Sequence, residues 1–107
     1  MSDIQVVLCT CPDSATAEEL AAGLVEARLA ACVNILPQIR SIYRWDGELQ
    51  QDQEALMIVK TRSDRQGELQ SWLQRHHPYT VPEILALNVS AGSMGYMNWV
   101  LNETENR

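Results

Sequence analysis

A chain of 107 residues with 46% apolar content has room for one globular core, near the low end of comfortable size. Fourteen acidic residues against eight basic ones give a net charge of −6 with no basic cluster, which argues against nucleic acid or an anionic membrane as a primary partner and makes cations the natural ligands. MSDIQVVLCTC has no basic n-region, no later run nears the roughly 18 apolar residues of a membrane span, and Cys9, Cys11 and Cys32 lack a disulfide-framework spacing, so a soluble cytoplasmic protein is expected.

Residues 4–11 alternate, with Ile4, Val6, Leu8 and Thr10 on one face and Gln5, Val7, Cys9 and Cys11 on the other, which predicts a first strand. Pro12-Asp13-Ser14 ends it and offers a helix cap. Leu20, Leu24, Ala27 and Ala31 then fall at helical spacing, so a helix is expected over about residues 14–30.

The stretch from Cys32 to Arg62 reads as one long β-hairpin around Asp46-Gly47, a dipeptide that tolerates the positive φ angles of a type I′ turn. Pairing outward from Trp45 opposite Glu48 sets Tyr43 opposite Gln50, Ile39 opposite Glu54, Leu36 opposite Met57 and Ile35 opposite Ile58. Pro37 removes a ladder donor and Ile39 to Ile42 breaks the alternation, so a bulge is expected in this stretch. A strand of this length reaches about 45 Å, whereas a compact domain of this size is about 34 Å across. The half nearest the turn, residues 40–52, is therefore an arm that outruns the core. It carries Ile42, Tyr43, Trp45 and Leu49, and packing against a second copy is the stable solution. The return strand is apolar throughout residues 55–59, so cover on both faces is expected.

Ser63-Asp64, with Gln66 three residues after Ser63, predicts a capping box for a second helix. Leu69, Trp72, Leu73 and His76 share a face of it, and Pro78 stops it at His77. A last strand is expected over about residues 80–90, and a short helix capped by Ser93 carries Met94, Met97 and Leu101. This order is the ferredoxin-like βαββαβ pattern, an α+β fold with an added C-terminal helix. Right-handed crossovers bring the end of the first strand, the end of the second helix and the base of the arm to one level.

Cys9, His76 and His77 would meet there. One thiolate and two imidazoles suit copper or zinc better than calcium or magnesium. The alternative is structural, with Cys9 a small hydrophobe and His76 continuing a core stripe. Read as a nucleophile and base, the same residues would need Glu83 or Asp13 to orient the histidine, yet no oxyanion-hole signature or Gly-rich turn accompanies Cys9. No Gly-rich phosphate loop is present either, so nucleotide binding has no positive sign. The rigid connector His77-Pro78-Tyr79-Thr80-Val81-Pro82-Glu83 reads equally as a helix stop or as a pocket wall presenting Tyr79 and Glu83. Trp45, Trp72, Trp99 and Tyr43 read as packing residues.

The motifs LCTCPD (8–13), LAACVNILP (29–37), SIYRWDGELQ (41–50), IVKT (58–61), HHPYTVPEI (76–84) and YMNWV (96–100) resemble the CutA family of divalent-cation tolerance proteins over nearly the whole chain. The resemblance implies a single ferredoxin-fold domain over 1–107 similar to PII signalling proteins, a tight homotrimer, and a role in tolerance of copper and other divalent cations. In bacterial members copper binding is attributed to a cysteine ending the first strand and two histidines before Pro-Tyr, positions held here by Cys9, His76 and His77. Cys11 sits where many relatives carry another residue. The expectation is a non-enzymatic trimer binding Cu(II), with Zn(II) or another divalent cation as alternatives. A PII-like module binding a small molecule or protein in clefts between subunits comes second, and a thiol enzyme third.

Overall fold

The computed structural model of the chain describes residues 3–106. Among these lie β1 (Ile4–Cys11), α1 (Ser14–Glu26), β2 (Cys32–Trp45), β3 (Glu48–Arg62), a 3₁₀ turn (Ser63–Arg65), α2 (Gln66–His76), β4 (Leu85–Asn88) and α3 (Met94–Glu103). The strands form one antiparallel sheet in the order β2-β3-β1-β4, with β1 paired to both β3 and β4. That is the expected ferredoxin-like arrangement. No helix among the described residues is long and apolar enough to cross a membrane.

The alternation along β1 and β3 builds the core. Val7, Cys9 and Cys11 from β1 and Ala55, Met57 and Val59 from β3 are buried with Ala17, Leu20 and Leu24 of α1 and Leu69 and Leu73 of α2. Fully burying one such leucine contributes about 1.5–3 kcal/mol. The opposite face is less covered. Ile4, Ala31 and Val100 form a second, smaller cluster where α3 packs, while Leu56 and Ile58 are only half-buried, so the cover expected on both faces of β3 is incomplete within one chain.

Asp13 caps α1, its Oδ1 accepting the Thr16 N–H at 2.7 Å. The helix stops at Glu26 rather than near residue 30, because Arg28 turns left-handed (φ 59°) and closes a Schellman motif in which Arg28 N–H donates to the Val25 carbonyl and Leu29 N–H to that of Leu24. Leu29 and Ala30 thereby leave the helix and enter the core. The buried Arg65 guanidinium donates to the carbonyls of Ala27 and Arg28, satisfying groups that a helix end leaves open.

The hairpin turns at Asp46 and Gly47 with φ of 53° and 80°, and the register holds from Trp45–Glu48 to Ile39–Glu54. The bulge falls at Pro37-Gln38, where Gln38 takes φ 57°. The extra residue shifts every later pair by one, so Ile35 faces Met57 and Leu36 faces Leu56, not the Ile58 and Met57 that an unbroken ladder requires. The arm stretches the molecule to 44 × 25 × 22 Å. Its radius of gyration of 14.3 Å exceeds the roughly 13 Å of a compact chain of this length.

Two further expectations are corrected. Ser63 does not form a capping box, since residues 63–65 turn as a 3₁₀ segment and no side chain caps α2. The last strand shrinks to Leu85–Asn88, because Pro78 and Pro82 hold the preceding connector out of the ladder.

Candidate metal centre

The C-terminal end of β1 carries two cysteines two residues apart, and strand alternation puts both sulfurs on the core face. At the same level α2 ends. His77 leaves the helix with ψ 138°, as a residue before proline must, and its ring turns inward, where it is buried. One donor atom each from Cys9, Cys11 and His77 lies within 4.8 Å of the others, and all three side chains are buried.

Hydrogen bonds fix the imidazole. Tyr79 N–H donates to Nδ1 at 3.0 Å, so Nδ1 carries the lone pair, and Nε2–H donates to the Thr10 carbonyl at 2.8 Å. The ring also lies against Tyr79, with centroids 4.8 Å apart. The two thiols behave as a pair. The neighbouring Cys11 sulfur and burial push the Cys9 thiol up, and the neighbouring Cys9 thiol lowers Cys11.

His76 goes elsewhere. It is exposed, stacks on Trp72 with centroids 4.0 Å apart, and donates from Nδ1 to the Trp72 carbonyl at 2.8 Å. Its Nε2 lone pair therefore faces outward. Of the residues expected to gather, Cys9 and His77 come together and His76 lies beside them on the surface; Cys11 completes the buried group. Neither acid proposed to orient a histidine does so: Asp13 caps α1, and His77 is held by backbone groups. The sequence left the part of Cys11 open, although the alternation of β1 already placed it on the face of Cys9.

Beside this group a cleft of about 680 Å³ opens between the arm and the connector, lined by Thr10, Tyr43, Trp45, Glu54, Tyr79 and Glu83 among others. Tyr79 Oη donates to Glu54 Oε2 at 2.7 Å, and burial followed by that carboxylate pushes the phenol up. Thr10 and Tyr79, the two residues that hold the His77 ring, thus form part of the cleft wall. The connector is a pocket wall as well as a helix stop.

Two sulfurs and an imidazole nitrogen with no carboxylate in the group fit a soft or borderline transition metal and not calcium or magnesium.

A family model described as CutA1 divalent ion tolerance protein matches residues 5–103. The divalent-cation tolerance protein CutA of Pectobacterium atrosepticum is 46% identical over 100 residues, covering 94% of this chain and 91% of that protein. The solved structure of the divalent cation tolerance protein of Thermus thermophilus superposes with a TM-score of 0.93 at 47% identity, over 95% of this chain and 99% of that one. CutA from Xylella fastidiosa superposes with a TM-score of 0.95 at 38% identity, over 97% and 100%.

Proposed function

The chain belongs to the CutA1 divalent ion tolerance family, and from that premise we propose that it is a non-enzymatic homotrimer of the cytoplasm that binds Cu(II), with Zn(II) or another divalent ion as competitor, through Cys9, His76 and His77. The convergence of Cys9 and His77 at the end of β1 carries the metal reading. Metal binding at His77 exchanges one of its two hydrogen bonds, to Thr10 or from Tyr79, for the metal bond, and the Cys9 proton is released. His76 stands next in the chain with its Nδ1–H already tied to a carbonyl, the outer-sphere arrangement that readies Nε2 as a ligand. All three cysteines are free thiols, which suits a reducing compartment.

Assembly is supported by apolar surface in three places. Ile42, Trp45 and Leu49 on the arm are 60–69% exposed, Leu85 and Leu87 on the edge strand β4 are more than half exposed, and Met94, Tyr96 and Trp99 project from α3. Open edges with such side chains favour pairing with a second copy. The alternative, a PII-like module that binds a small molecule or protein, draws on the 680 Å³ cleft, which would lie next to any partner held by the arm. Crystals soaked in copper and measured at its absorption edge separate the two. An anomalous peak between Cys9 and His77 is the expected result, and copper elsewhere or none would leave the cleft reading.

A further inference from the structure

We infer that Cys11 is a metal ligand too, and that Cys9, Cys11 and His77 form a two-sulfur, one-nitrogen site selective for monovalent copper. The inference rests on the copper reading above and assigns another residue and another oxidation state. Its starting point is geometric: the buried donors that come within 4.8 Å of one another are two sulfurs and one imidazole nitrogen, and His76 is not among them.

Number and kind of donor decide the ion. Cu(II) takes nitrogen-rich sets, tetragonal or with two histidines and one cysteine, and Zn(II) takes four ligands, whereas a second thiolate sulfur favours Cu(I). The three residues supply three donors, and the sulfur-bearing residues are fully enclosed, so water is poorly placed to complete a fourfold shell. A closed-shell monovalent ion accepts such low coordination. The divalent reading draws on His76, on the surface and stacked on Trp72, for the extra nitrogen that the buried group lacks. The two oxidation states therefore use overlapping but different residues, Cys9 and His77 being common to both. Loading with Cu(I) releases the thiol protons to solvent and breaks no other covalent bond. The ion would enter through the cleft, since Thr10 and Tyr79 line it and both hydrogen-bond His77.

The test is an anaerobic titration of the full chain in which Cu(I) is held by bathocuproine disulfonate, read from the colour of that competing chelator. Cys11→Ser is expected to weaken Cu(I) binding by more than the roughly 10–100-fold that loss of a supporting group costs, with Zn(II) affinity changed less than threefold, on the order of ordinary context effects. His76→Ala is expected to do the reverse. Because Cys11→Ser alters a buried position, copper-edge X-ray absorption of the Cu(I)-loaded parent gives a second readout, with two sulfur neighbours expected per copper. A single sulfur neighbour, or unchanged Cu(I) affinity in folded Cys11→Ser, overturns the inference while leaving the Cu(II) reading in place. No copper bound in either oxidation state overturns both.

Discussion

At the level of single residues, the same short stretch of β1 and its turn serves both fold and site. Cys9 and Cys11 belong to the core cluster and to the metal group, and Asp13, two residues on, begins α1. The Thr16 backbone N–H holds the Asp13 carboxyl below the usual carboxylate range. A carboxyl depressed in the folded state stabilises above its unfolded value of about 3.9 and loses that contribution as pH falls through the folded value. Asp13→Ala should therefore melt below the parent at pH 7, and the gap should narrow under acid, read by thermal scans between neutral pH and about pH 2. A gap that widens on acidification would contradict the cap's ionic role. Which of the two histidines turns inward was not legible in the sequence. His76 shares a helical face with Leu69 and Leu73, but it is the last helical residue and stacks outside on Trp72, whereas proline aims His77 into the core.

Between elements, α1 and α2 approach closely at Gly23. A Cβ at Gly23 would come within 2.6 Å of the Trp72 ring, which His76 braces by stacking on it. Gly23→Ala gains up to about 1 kcal/mol of helix propensity but overpacks at a cost of about 1–3 kcal/mol, so it should destabilise in urea unfolding. In a Trp72→Leu background the same change should become neutral or stabilising. Stabilisation by Gly23→Ala alone would show that Trp72 does not set the spacing. The hairpin was readable outward from Asp46-Gly47 as far as Ile39; the broken alternation and Pro37 signalled a bulge, but the pairs beyond it were read without the one-residue shift that it imposes. The end of α1 was hidden. Leu29, Ala30 and Ala31 continue the helical composition, and the left-handed stop falls on Arg28 where glycine is the usual signal. Removing residues 42–51 in register should weaken assembly before it unfolds the core, since Ile42, Trp45 and Leu49 belong to no core cluster. An unchanged oligomer in sedimentation would mean that the arm does not hold the subunits.

For the molecule as a whole, the metal group lies at the end of the sheet from which the arm extends, with the cleft between arm and connector beside it. The proposed metal site and the exposed apolar side chains of the arm are thus adjacent without sharing residues. Cys9 and His77 add little to the volume of the sheet's helix-covered core, where Leu24, Met57, Leu69 and Leu73 supply the largest buried side chains. Cys9→Ser and His77→Ala should therefore keep the oligomer while losing copper. Native mass spectrometry of the copper-treated protein reads both properties in one spectrum. The expected spectrum is a trimer of 12.1 kDa chains carrying one copper ion per chain, reduced to a metal-free trimer in Cys9→Ser; single chains, or equal copper content in the parent and Cys9→Ser, would contradict the copper-binding trimer.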